Sequence, residues 1–335
     1  MLLWAAFAHA ESTYGVPVDG FPSADERSLL LWTNAARVAP DAFSDDYTAG
    51  GCSTDDFSDD ELTPKPPLYI DLDLTEVARV HSTDMAENGC FQHESCDGTD
   101  TWERIAEYYT DTSSALGENI AYGYGTTRNT MLAGWMCSDS GHRANIMSGD
   151  FNEMGAGVDG DHMTQDFAGG MLREGDPPVR VAMLEGGVYY ADWGASAAPA
   201  ELSIVRDGRA TPMALLWGTE ENGVYSVTDV AEDEDMTEHI WFVSWDSGSE
   251  SGSFPATGSL TDDSSFDEAR LEPFDVDSVR EGLHLVGCAT APGAETPALA
   301  MLAVLVFGRR GQPGRWTNNA VLSPRKRLTK SRAGP

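Results

Sequence analysis

Leu29, Leu30, Trp32, Thr33 and Ala36 recur at helical spacing, which predicts a helix over roughly residues 25–38. Ser23-Ala24-Asp25-Glu26 stands ahead of it as a capping box, and Pro40 ends it. Residues 41–67 are acidic, carry Gly50-Gly51 and Pro64, Pro66 and Pro67, and read as a loop. Asp73 is suited to cap a second helix, Leu74 to Asn88, with Gly89 as its stop. Its inner face is Leu74, Val77, Ala78, His81 and Met85. Trp102–Tyr109 reads as a short helix, Gly117–Gly125 as a turn feeding a strand, and Thr127–Met136 as helix. Ser138 or Ser140 begins a turn into His142-Arg143-Ala144-Asn145-Ile146-Met147. Glu153–Val158 and His162–Phe167 alternate polar and apolar positions and predict paired strands joined by Asp159-Gly160. Helices mixed with antiparallel strands predict an α+β fold for residues 25–168.

After Gly169 the pattern changes. Short β-type runs follow one another: Val179–Leu184, Val188–Trp193, Glu201–Val205, Met213–Trp217, Val224–Thr228, His239–Trp245 and Gly282–Val286. Gly, Asp and Pro turns separate them at sandwich spacing, so residues 177–287 are expected to form an all-β sandwich of immunoglobulin-like or fibronectin-like type. No residue cluster there suggests catalysis, which fits a spacer or adhesion module.

Length and composition sharpen this division. A chain of 335 residues exceeds one typical domain, and 41% hydrophobic content suffices for real cores. Net charge is −34 and uneven: the eight Lys/Arg from Arg309 onward leave 13 basic against 55 acidic groups in the preceding residues. Such a body repels nucleic-acid phosphates and anionic membranes, which excludes nucleic acid as a partner.

The cysteines are Cys52, Cys90, Cys96, Cys137 and Cys288. A Cys90–Cys96 bridge would clamp the loop presenting His93, and Cys52 with Cys137 is available for a second. Four cysteines allow three pairings, and a metal site is the rival reading, against which stands the absence of any CxxC pair. Disulfides imply an oxidising, exported location. Residues 1–10, MLLWAAFAHA, resemble the remnant of a signal peptide with an A-x-A end but no positive n-region.

The candidate chemistry lies between His81 and Val158. His93, Glu118 and His142 sit in Gly-, Ser- and Asn-flanked contexts, Phe91-Gln92-His93-Glu94-Ser95, Gly117-Glu118-Asn119-Ile120-Ala121 and Gly141-His142-Arg143-Ala144-Asn145-Ile146. Two imidazoles and a carboxylate can hold zinc or another divalent cation, with water completing the set, or poise a proton transfer. The same trio can instead hydrogen-bond across a cleft and tie helices to a sheet. Asn119 and Ser140 are the supporting residues. Ser140 lies close to His142, but no third orienting group or oxyanion hole accompanies them. His81 reads as a satisfied core histidine, His162 as a strand-edge residue, and Asp97-Gly98-Thr99-Asp100 as a turn too short for an EF-hand loop.

Taken in order, these segments resemble the CAP superfamily of cysteine-rich secretory, antigen 5 and pathogenesis-related 1 proteins, in its bacterial SCP-like form. The carriers are Leu31-x-x-Asn34-x-x-Arg37, His81-Ser82-x-Asp84-Met85, Phe91-x-His93, Gly117-Glu118-Asn119-Ile120, Trp135-Met136-x-Ser138, Gly141-His142-Arg143-x-Asn145-Ile146, Gly155-x-Gly157-Val158 and Thr164-Gln165-Asp166-Phe167. The resemblance implies an α-β-α sandwich whose cleft carries His93, Glu118 and His142. The family's second Glu has no match here; Asp139 is the nearest substitute. The end of the chain resembles a MYXO-CTERM-type sorting tail over residues 288–310, with Cys288, an apolar run Pro297–Phe307 and Arg309-Arg310, followed by a basic extension, 311–335. That apolar run is well under the ~20 residues a spanning helix needs, so a membrane is expected to be met only through this tail. The expected function is a secreted or surface-displayed bacterial CAP-domain protein whose cleft binds a lipid, peptide or surface ligand. A metal-dependent hydrolase and a structural, adhesive surface protein are the alternatives.

Overall fold

A computed structural model describes residues 21–110, 115–169, 177–206, 208–228, 230, 240–256 and 258–261. The signal-like segment 1–10, the strand expected over Gly282–Val286, Cys288, the tail 288–310 and the extension 311–335 lie outside the described residues.

Helix α1, Ala24–Val38, opens on the expected capping box: Glu26 N donates to Ser23 Oγ at 3.3 Å and Ser23 N to Glu26 Oε2 at 2.7 Å. Leu29, Leu30, Leu31, Trp32, Ala35 and Ala36 are all fully buried, more than one apolar stripe would give, because sheets pack on α1 from two sides. The stretch 41–67 is not all loop. Helix α2, Ser44–Gly50, and a 3-10 turn, Thr54–Asp56, fall within it. Their polar composition hides three buried rings, Phe43, Tyr47 and Phe57, with the Tyr47 hydroxyl donating to Pro40 O at 2.7 Å, while the Cys52–Cys137 disulfide pins the far end. Helix α3, Leu72–Asn88, starts earlier than Asp73 would allow: Asp71 is the cap, accepting from Leu74 N at 2.8 Å, and Gly89 ends the helix at φ +67. Helix α4 is Thr101–Tyr108, capped by Asp100.

Strands β1 (Tyr69–Ile70), β2 (Leu116–Tyr122), β3 (Glu153–Asp159) and β4 (His162–Ala168) form one sheet in the order β1-β3-β4-β2. The expected β3–β4 pairing forms, with Gly155 opposite Asp166 and Gly157 opposite Thr164, but Asp159 still pairs with His162, so the turn is Gly160-Asp161, one position later than expected. Helix α3 lies flush on this face. A Cβ on Gly155 or Gly157 would collide with the α3 backbone at Leu74 or Ala78, so both positions require glycine. The segment expected as helix over 127–136 is a π-helix, Asn129–Trp135, and Trp135 Nε1 donates to Ile120 O at 3.0 Å. Helix α5, His142–Met147, follows Gly141 at φ +105.

The remaining strands form two sheets. One has the order β5-β6-β10-β9: β5 is Ala182–Glu185, β6 Val188–Gly194, β9 Ala214–Gly218 and β10 Asn222–Val227. The other runs β12-β11-β7-β8, with β7 at Glu201–Arg206, β8 at Arg209–Pro212, β11 at Ile240–Asp246 and β12 at Ser251–Phe254; β13, Leu260–Thr261, also pairs with β11. Ala191, Trp193, Ile204, Trp241 and Val243 are buried in a common core of this region. The region is mostly strand, as expected, with β8, β12 and β13 added.

This β-rich region is joined to the α+β part through α1. Val181, Met183 and Val224 share a core with Leu29–Trp32. Arg27 Nε donates to Ala182 O at 3.1 Å, and Asn34 Nδ2 donates to the buried Asp192 at 2.7 Å. Among the described residues no helix is long and apolar enough to cross a membrane.

Candidate functional site

β2 is an edge strand, and the site is built along that edge. Its outward carbonyls are covered by side chains: Asn145 Nδ2 donates to Glu118 O at 3.2 Å and Trp135 Nε1 to Ile120 O. Alternation along β2 sends Glu118 to the α3/α4 face and Asn119 to the opposite face. Asn119 is fully buried; its amide donates to His142 O (3.2 Å) and Gln165 Oε1 (3.1 Å), and its oxygen accepts from Asn145 (2.9 Å). It thereby fixes the start of α5, where His142 stands. Ser140 bonds only within its own turn, donating to Asp139 at 3.3 Å.

His93 is presented by a short loop tied at both ends by the Cys90–Cys96 disulfide. Its carbonyl accepts from Thr101 Oγ1 at 2.8 Å and from Arg104 Nη1 at 2.9 Å. Asp84 Oδ2 accepts from Cys96 N at 2.7 Å, and His81 Nε2 lies 3.1 Å from Gln92 O, to which it must donate. The loop is therefore set by its backbone, and the imidazole is left half exposed. His93 Nδ1 donates to Glu118 Oε1 at 2.7 Å, which leaves Nε2 facing outward. This hydrogen bond raises the His93 pKa, against partial burial, which lowers it.

Beneath His93 lies a buried polar layer for which the sequence pointed to Glu118 and to a buried His81, but not to Arg104 or to a role for Asp166. The Glu118 side chain is 1% exposed, and its Oε2 accepts from Nη2 of the buried Arg104. His81 Nε2 is 4.0 Å from the same oxygen; burial lowers the His81 pKa and keeps the ring neutral. Asp166 sits opposite Glu118 in the β2–β4 register. It is fully buried, and neither carboxylate oxygen meets a partner in hydrogen-bond geometry. Burial first, and the Glu118 charge second, push its pKa well above the carboxylate range. The sequence signals for this layer were an Arg on the inner face of a short helix and an Asp inside a buried strand.

His142 packs beside Trp135, ring centroids 6.4 Å apart, and burial followed by the His93 charge lowers its pKa. It borders a cavity of about 390 Å³ that Phe91, Tyr122, Tyr124 and Trp135 also line. The expected trio is thus brought together in part: His93 and Glu118 touch, and His142 stands across the cleft. Among the described residues, the one set of three His, Cys, Asp or Glu ligand atoms lying within 4.8 Å of one another is Asp84, Cys90 and Cys96, and both of those cysteines are spent in a disulfide. Both Glu118 oxygens are engaged, so Glu118 is placed as the carboxylate that orients His93, the usual outer partner of a ligating histidine. The donors that remain for a divalent ion are the two imidazoles.

Residues 30–167 match the CAP, or cysteine-rich secretory protein, family. An uncharacterized membrane protein of Bacillus subtilis strain 168, YlbC, is 39% identical over 100 residues, 30% of this chain and 28% of that protein. A second uncharacterized protein of the same organism, YkwD, is 36% identical over 105 residues, 31% of this chain and 40% of its own length. This chain therefore spans well under half of either relative. A solved extracellular protein containing an SCP domain, from Bacillus anthracis, aligns at 33% identity and a TM-score of 0.28, covering 31% of this chain and 34% of that one. The family match supports a CAP-family domain over residues 30–167.

Proposed function

We propose that this chain is an exported bacterial CAP-domain protein whose edge-strand cleft binds a ligand, and that His93 and His142 hold a divalent cation there. The observation that carries the reading is the His93–Glu118 hydrogen bond. It fixes the protonated nitrogen at Nδ1, turns Nε2 outward, and belongs to a loop whose backbone is tied down by the disulfide, Thr101 and Arg104. His142 supplies a second imidazole whose lowered pKa keeps it neutral and available. With two protein donors, water completes the coordination, and zinc suits the set. The export reading rests on the two disulfides. The two C-terminal sheets fit an immunoglobulin-like accessory sandwich, and residues 288–310 a sorting tail. An intact mass of the surface-displayed protein that ends near Cys288 is the expected sign of that tail; a full-length mass would remove it.

The test of the cleft is zinc content and affinity of the full chain, disulfides intact, beside His93→Ala/His142→Ala. Stoichiometric zinc that the double variant loses, with its fold unchanged by circular dichroism, is the expected result. Wild-type protein without zinc, or a variant that keeps it, would remove the metal reading.

A further inference from the structure

We infer that the mouth of this cleft is a subsite for a small organic cation, an ammonium group carried on an apolar body; the inference rests on reading the cleft as a ligand site. Phe91, Tyr122 and Tyr124 are 52%, 57% and 45% exposed, and all three border the cavity beside His142. Scattered apolar residues are ordinary on a surface, but three aromatic rings around one cavity are a binding feature. The rings are also held in place. Phe91 belongs to the Cys90–Cys96 loop, with its centroid 6.2 Å from that of Tyr122. Tyr122 stacks on His162 at 4.5 Å. Tyr124 packs against Gly134, where any Cβ would press into its ring. Fixed rings lose little entropy on binding.

Charge selects among the ligands such rings accept. Aromatic faces attract cations, most strongly weakly hydrated ones such as quaternary ammonium groups. No Lys or Arg lines the cavity. The guanidinium of the adjoining layer, Arg104, is committed to Glu118, as is His93. Carboxylates flank the mouth in sequence: Glu94 three positions after Phe91, Asp161 beside His162, and Asp139 beside the cavity-lining Ser138. The backbone of Asp161 is tied to this segment, its carbonyl accepting from Gly123 N, the residue between the two tyrosines, although no carboxylate itself lines the cavity. A net charge of −34 raises the local concentration of any cation and opposes an anion.

Choline and its uncharged isostere, in which a tert-butyl group replaces trimethylammonium, separate charge from shape. The full chain, freed of divalent metal by chelation because a zinc on the cavity-lining His142 would repel an ammonium, is titrated with each, and binding is followed by Trp fluorescence and calorimetry. Choline is expected to saturate the cleft about tenfold more tightly than the isostere. Affinity is expected to fall about tenfold in Tyr122→Leu, which keeps apolar bulk without a ring, and to persist in Tyr122→Phe. Equal affinity for the isostere would overturn the cation subsite while leaving an apolar ligand cleft. Binding of neither probe, with zinc still held by His93 and His142 in the untreated chain, would overturn the subsite alone. Binding of neither probe and no zinc in the untreated chain would sink both readings.

Discussion

Arg104→Ala is expected to destabilise the folded chain by about 3–5 kcal/mol, the usual cost of leaving a buried partner charge uncompensated. Arg104 and Glu118 are 4% and 1% exposed at their side chains, so water cannot replace the lost guanidinium. Contrast Lys65–Asp60, where the Asp side chain is 79% exposed; such a pair is worth roughly 0–1 kcal/mol. The change also removes the Nη1 bonds to His93 O and Ser95 Oγ, so the His93 loop loses a tether together with the charge. Arg104→Lys should lose less, since it keeps the charge but not the fork that reaches Glu118, His93 O and Ser95 together. In a Glu118→Gln background, Arg104→Ala should cost markedly less than in wild type, because the orphaned charge is already gone. Denaturant unfolding with unchanged m-value measures all of this, and a loss below about 1 kcal/mol for Arg104→Ala would refute the account.

Why the sequence announced Glu118 but not Arg104 follows from how each signal arises. Glu118 stands in a short Gly-Glu-Asn context that draws attention by itself. Arg104 looks like any charged residue of an amphipathic helix until β2 and α4 are brought together. Asp166 looks like an error in an apolar strand until the register sets it opposite Glu118. Short-range patterns were legible: the α1 capping box, the inner face of α3 and the β3–β4 hairpin all depend on residues a few positions apart. The cap of α3 was displaced by two residues because Asp71 and Asp73 are chemically equivalent, and only the parallel pairing of β1 with β3 decides where the chain turns. Helix α2 was missed because its stability comes from Tyr47 and a disulfide to a residue 85 positions away, not from periodicity. His93 and His142 draw attention in the sequence as polar groups in Gly-, Ser- and Asn-flanked contexts. What could not be read was that strand alternation sends Glu118 to one face while Asn119 fixes His142 on the other, so the carboxylate orients one imidazole instead of joining both.

Asp166→Asn is the second large effect, and its sign is opposite. Two carboxylates occupy one buried row, Gly155–Asp166–Glu118, and the Arg104 guanidinium is bonded to Glu118. Arg104 is paired with Glu118, and Asp166, fully buried beside the Glu118 charge, holds its proton instead. Its folded pKa therefore lies well above the roughly 3.9 of an unfolded Asp. A raised folded pKa means the folded state binds a proton that the unfolded chain has already released. The stability this gives is fully present below about pH 4 and is lost as pH rises through the folded pKa. An amide is the permanent neutral mimic of that protonated acid. Wild type and Asp166→Asn should thus be close in stability near pH 4. Above the folded pKa the variant should lead by about 1.4 kcal/mol for each pH unit that separates the folded from the unfolded pKa. Urea unfolding of both proteins across pH gives the two curves; parallel curves would show that folding does not raise the Asp166 pKa and sink the assignment. The outcome also bears on the cleft. A neutral Asp166 leaves Glu118 as the sole carboxylate of the layer, so His93 and Arg104 converge on it from opposite oxygens. Ionisation of Asp166 would offer Arg104 a second acceptor, loosen its hold on Glu118, and with it the geometry that turns His93 Nε2 toward the ligand side.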